Sequence, residues 1–173
     1  MAHQHELKSL TGHDLDQAQR KAEKYRDLNQ PDETDSICRD ILAVDPRHQA
    51  ALRSLGLSLT DRYEGDGLQL HREALGVFER LESPYERVYY TGIAWERHGK
   101  AQLARGIGPG AHHSFHRALH LFEEAEDLAP EKDPDPILRW NRVIRELSTH
   151  PLLRAEEERS PDSEMDFGDA PPA

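Results

Sequence analysis

The sequence predicts an all-α protein, an antiparallel helix-pair solenoid whose second and third pairs carry insertions, and three observations support this. Apolar residues recur at steps of three and four along nearly every segment, the period of one helix face rather than the alternation of a strand. Breakers (Asn29-Gln30-Pro31, Asp45-Pro46, Ser83-Pro84, Pro130) divide the chain at helix-length intervals. The pattern also returns at a near-constant offset, Ala18-x2-Lys21-Ala22-x2-Tyr25 aligning 34 residues later with Leu52-x2-Leu55-Gly56-x2-Leu59.

Residues 1–14 have no periodicity and are expected to be a flexible start. Leu15, Ala18, Ala22, Tyr25 and Leu28 mark the first helix. A turn follows, with Asp32 expected as N-cap of a second helix that carries Ile37, Cys38, Ile41, Leu42 and Val44 and stops at Asp45-Pro46. The third begins near His48 and runs through Ala51, Leu52, Leu55, Gly56 and Leu59. Gly and Asp make residues 61–67 a loop, before a fourth helix over 68–81 with Leu70, Ala74, Leu75, Phe78 and Leu81 on one face. Ser83-Pro84 opens the fifth, which holds Val88, Gly92 and Trp95 and is expected to fade by His98-Gly99. Residues 105–111, RGIGPGA, read as a flexible glycine-rich insertion.

The segment 116–130 is the most sharply amphipathic. Phe115, Ala118, Leu119, Phe122, Ala125 and Leu128 form its apolar stripe, while Glu123, Glu124, Glu126 and Asp127 take the other face. A helix this short is marginal alone in water, so the stripe must dock on neighbours. A last helix follows, with Asp135 as N-cap, Pro136 in the first turn, and Ile137, Leu138, Trp140, Ile144 and Leu147 as its apolar positions. This bounds a helical domain at 15–150, and the acidic, proline-bearing residues 151–173 are expected to be a disordered tail.

The second helices repeat as well: Thr34-x3-Cys38, Ala74-x3-Phe78 and Ala118-x3-Phe122, with Pro46 and Pro130 closing the first and third. Val88-x2-Thr91-Gly92-x2-Trp95 extends the first-helix series, Gly92 standing 36 residues after Gly56. This pattern resembles the tetratricopeptide repeat over residues 15–130, with 136–150 as a capping helix. The match is incomplete. Ala18, Leu52 and Val88 stand where the family has Trp. Gly56 to Ala74 spans 18 residues and Gly92 to Ala118 spans 26, against 12 from Ala22 to Thr34 in the first unit. The resemblance implies a stack whose first helices line a concave groove for a partner peptide. By matching position, that groove holds Gln19, Glu23, Arg26, Arg53, Leu57, Thr60, Tyr89, Ile93, Glu96 and Arg97.

Composition limits the partners. A net charge of -11 argues against nucleic acid and anionic membranes, since phosphate binding needs a basic face. No apolar run approaches the roughly 20 residues that span a bilayer, and the first residues lack an apolar signal core, so a cytoplasmic location is expected. The single cysteine, Cys38, permits no internal disulfide and reads as a core residue. Arg26, Arg53 and Arg97 suit the forked recognition of carboxylates, which points to a protein partner as a peptide segment or subunit. Self-association is left open.

His112, His116 and His120 stand four residues apart, stacked on one helix face with His113 beside them. That spacing can clasp zinc, nickel or copper, although no carboxylate stands beside them in sequence. A pH-responsive contact is the other use of such a ladder. The glycines of 106–110 lack the Lys-Ser/Thr of a phosphate loop. No Ser/His/Asp or Cys/His set stands out, so neither catalysis nor a cofactor is expected. The sequence favours a non-catalytic scaffold or assembly adaptor over a metal-binding or pH-responsive module.

Overall fold

The computed structural model describes residues 6–64, 67–130 and 133–159. Among these residues there are eight α-helices and no strand: α1 (Leu15–Asp27), α2 (Pro31–Val44), α3 (Gln49–Thr60), α4 (Gly67–Phe78), α5 (Pro84–Ala104), α6 (Gly108–Leu128), α7 (Asp135–Thr149) and α8 (Pro151–Glu157). From α1 to α8 each helix packs on the next, α1 also touches α3, α3 touches α5, and α8 lies against α6 as well as α7. No helix is long and apolar enough to cross a membrane.

Burial divides into two cores. The first gathers Ala22, Cys38, Ile41, Leu52, Leu59 and Phe78, from α1 to α4. The second gathers Ile93, Phe115, Phe122, Ala125, Val143 and Leu153, from α5 to α8. Leu57 and Tyr90 pack against both and join them.

Glycine and phenylalanine form the seams within pairs. A Cβ at Gly56 would stand 2.2 Å from the Phe78 ring, and one at Gly92 would stand 2.7 Å from Phe122. Only a residue without a side chain lets the facing helix and its ring come this close. In the first pair the size contrast is smaller: Ala22 and Cys38 occupy the corresponding places, both fully buried.

The third pair departs from expectation. Helix α5 does not fade at Gly99 but continues to Ala104, and α6 begins at Gly108, well before residue 116. What reads as a glycine-rich insertion is therefore helix except for Arg105, Gly106 and Ile107. Seven residues beyond Gly92 comes Gly99, and seven before Phe122 comes Phe115, whose ring lies 3.2 Å from where a Gly99 Cβ would be. Seven residues are nearly two turns, so the added length keeps both helices in phase and repeats the seam. Gly106, at φ +74, ends α5, with its N–H on Leu103 O and the Ile107 N–H on Gln102 O. This left-handed C-terminal cap is one that glycine adopts without strain.

Several helix boundaries also move. Thr11 donates to Asp14 Oδ2 from both its N–H (2.9 Å) and its hydroxyl (2.7 Å), fixing a short 3-10 turn before α1 where a flexible start was expected. Gln30, not Asp32, is the N-cap of α2, because Pro31 already supplies the first helical position. Pro134 replaces Asp135 as N-cap of α7, and the Asp133 carboxylate takes the Asp135 N–H. The fourth helix ends at Phe78, and its buried face carries His71 and Val77 beside Ala74 and Phe78, with Leu70 and Leu75 only half-buried. The expected tail begins as α8 instead, anchored by the fully buried Leu153. Residues 1–5, 65–66, 131–132 and 160–173, including the rest of that tail, lie outside the described residues.

Candidate functional site

Two constellations bring sequence-predicted residues together. The first lies along α1, α3 and α5. Asp61, just past the end of α3, takes two arginines: Arg26 from α1 with its Nε at 3.2 Å, and Arg97 from α5. Arg97 also donates to Thr60 Oγ1 and, at 3.3 Å, to the Leu57 carbonyl. The residue before it is Glu96, fully buried, which pairs with Lys100 on its own helix and, at 3.3 Å, with Arg139 of α7. A carboxylate so far from water persists only because two cations face it.

The groups form one electrostatic unit, since Arg97 senses Asp61, Arg26, Arg139 and Glu96 together. Burial lowers the Arg97 pKa, Asp61 opposes this, and the two neighbouring arginines add to the lowering. Four cations therefore surround two carboxylates, within a chain of net charge -11. Beside them is a cleft of about 260 Å³ whose charged lining is Asp61, Glu64, Arg97 and Lys100, with Thr60 and Tyr63 beside them. On α1, Gln19 donates to Glu23 (2.9 Å) and Ser54 (3.0 Å), leaving its Oε1 buried without a partner; Arg26 Nε is likewise buried with no hydrogen bond.

The remaining expected groove residues are placed differently. Arg53 is taken up by Glu86, at 2.9 and 3.2 Å. Leu57 is half-buried between the two cores. Tyr89 and Ile93 do not line a groove: they are 8% and 3% exposed and belong to the second core. The reason is that α6 packs along α5 for the full length of the extended hairpin, so the face of α5 that carries them is covered. The arginines expected to await a partner's carboxylates are already engaged by the chain's own.

The second constellation joins α6 to α8. His112 and His116 turn their Nε2 atoms onto one oxygen of Glu157, at 2.5 and 3.1 Å. The imidazole rings are 4.3 Å apart. His120, expected as the third member, is not among the three groups that converge, and His113 packs edge-on against Trp95. Burial tends to raise the Glu157 pKa, but the hydrogen bonds and charge of His112 and His116 outweigh it and leave the carboxyl below its ordinary value. His116 and Glu157 also border an apolar cleft of about 620 Å³ with Leu119, Ile144, Leu147 and Arg154.

Sequence reasoning missed Asp61, Arg139 and Glu157. Asp61 looked like a loop residue, Arg139 lies 43 residues from its partner Glu96, and Glu157 lay in the segment taken for a tail. Only the apolar Leu152-Leu153 within that acidic stretch hinted at a docked helix. Comparison with protein-family models, curated proteins and solved structures finds no match.

Proposed function

We propose that the chain is a non-catalytic scaffold that holds an acidic segment of a partner protein. On this reading it is a tetratricopeptide-like array of three helix pairs closed by α7 and α8, and the partner lies along α1, α3 and α5. The observation that carries the proposal is the ion-pair cluster there: among the described residues Arg26, Arg97, Lys100 and Arg139 pair with two acids, Asp61 and Glu96, with Glu64 the other acid of the cleft. A partner carboxylate entering the cleft takes the second coordination of an arginine that now shares its acid, a charge-assisted bond worth roughly 1.5–3 kcal/mol. The surrounding negative charge repels acidic chains that do not reach this strip, which turns local attraction into selectivity. The unpartnered Gln19 Oε1 offers a peptide N–H a place if its side chain swings outward.

The test is selection from a displayed random-peptide library, followed by fluorescence titration of the selected sequences. Expected are peptides enriched in Asp and Glu, whose Kd rises at least about tenfold, about 1.4 kcal/mol, in Arg97→Gln and in Arg139→Gln. Arg47→Gln, at an exposed pair with Glu82 away from the cleft, serves as control and leaves binding unchanged. Peptides without acidic bias, or equal binding to all variants, would refute the proposal.

A further inference from the structure

His112, His116 and Glu157 are the described His, Cys and acidic residues whose ligand atoms come together closely enough to hold one ion, all within 4.8 Å of one another. The geometry points to a zinc site formed by His112, His116 and Glu157, which clamps α8 onto α6. The donors suit zinc: two imidazoles four residues apart on one helix face, and a carboxylate delivered from another element. In a tetrahedral site with bonds near 2.1 Å, adjacent ligand atoms are about 3.4 Å apart. The Nε2–Oε2 separations here are 2.5 and 3.1 Å, so each histidine–carboxylate pair opens by less than about 1 Å to admit an ion.

The supporting elements are placed for this. Helix α6 is rigid through its long packing on α5, which fixes the two histidines relative to each other. Helix α8 has only seven residues and is marginal alone, but Leu153 is fully buried and holds Glu157 over the histidines. Three protein ligands leave the fourth tetrahedral position for water or for a donor atom of a molecule in the adjoining cleft. That cleft has a mainly apolar lining, Leu119, Ile144 and Leu147, with Ser148, Arg154 and Glu158 among its polar members. The bound ion ties α6 to α8 along the wall of the cleft, linking metal binding to the order of the last helix.

Calorimetric titration of the full chain with zinc chloride tests this, with magnesium chloride as control and cobalt as spectroscopic reporter. Expected is one equivalent of zinc with micromolar or tighter affinity, no magnesium heat, and the visible absorption of tetrahedral cobalt. His116→Ala and Glu157→Gln, both at exposed side chains that the cores do not use, each weaken zinc at least tenfold and abolish the cobalt bands. His120→Ala leaves both unchanged. Absence of zinc binding, or zinc affinity retained in Glu157→Gln, or a loss in His120→Ala equal to that in His116→Ala, would each overturn the site.

Discussion

Gly56 shows how much of this molecule is decided by single atoms. Adding one methyl there drives it into the Phe78 ring, and overpacking of this kind costs about 1–3 kcal/mol, more than the roughly 1 kcal/mol that alanine gains over glycine in a helix. Gly76, on the exposed side of α4 with nothing within 4 Å of its Cβ position, lacks that opposing cost. Urea unfolding should therefore find Gly56→Ala less stable than wild type and Gly76→Ala more stable by up to about 1 kcal/mol. The reverse order would contradict the seam. His71 carries a second residue-scale consequence. It is 3% exposed, its Nε2 has no hydrogen-bond partner, and its ring stacks on His98 at 4.2 Å. Burial, reinforced by His98, pushes its pKa down from 6.5 to about 4. The unfolded chain thus binds this proton below about pH 6.5 while the folded chain does not until about pH 4. The stabilisation is complete above pH 6.5 and is lost as the pH falls to 4, by about 3 kcal/mol at most. Melting curves across that range should fall more steeply for wild type than for His71→Gln, and parallel profiles would contradict the assignment.

At the scale of elements, what was legible in the sequence was periodicity, and what was not was where helices stop. The stripe Phe115–Ala118–Leu119–Phe122–Ala125 announces α6 and is buried as its spacing requires. Gly99 and the glycines of 106–110 read as breakers, yet Gly99 is a contact glycine inside α5 and only Gly106 has the backbone that ends a helix. A glycine needed for close approach and a glycine needed for a turn look alike until the facing ring is known. Helix α8 was hidden differently: two leucines among charges carry too little periodic signal, and its order comes from the tertiary contact of Leu153. Leu153→Ala should therefore release α8, raising amide hydrogen exchange over 151–157 while α1 to α4 keep their protection. Unchanged exchange there would show that something else holds the helix. Among the candidate site residues, the arginines were legible as helix-face cations, but their pairing with Asp61 and Glu86 depends on which helices touch.

For the whole molecule, the account rests on two helix pairs, α3 with α4 and α5 with α6, each packed by a glycine facing a phenylalanine, in two cores that meet at Leu57 and Tyr90. In that arrangement the two seams are chemically alike yet energetically separate. Sites in contact couple by about 0.5–3 kcal/mol, whereas sites without shared partners add to within about 0.3–0.5 kcal/mol. The most direct measurement is a set of double-variant cycles in urea, combining Gly56→Ala and Gly92→Ala in turn with Phe78→Leu and Phe122→Leu. The structure predicts that each alanine penalty shrinks when its own phenylalanine is shortened and stays constant when the other is. Additive penalties within both pairs, or coupling between Gly56 and Phe122 as large as between Gly56 and Phe78, would contradict it.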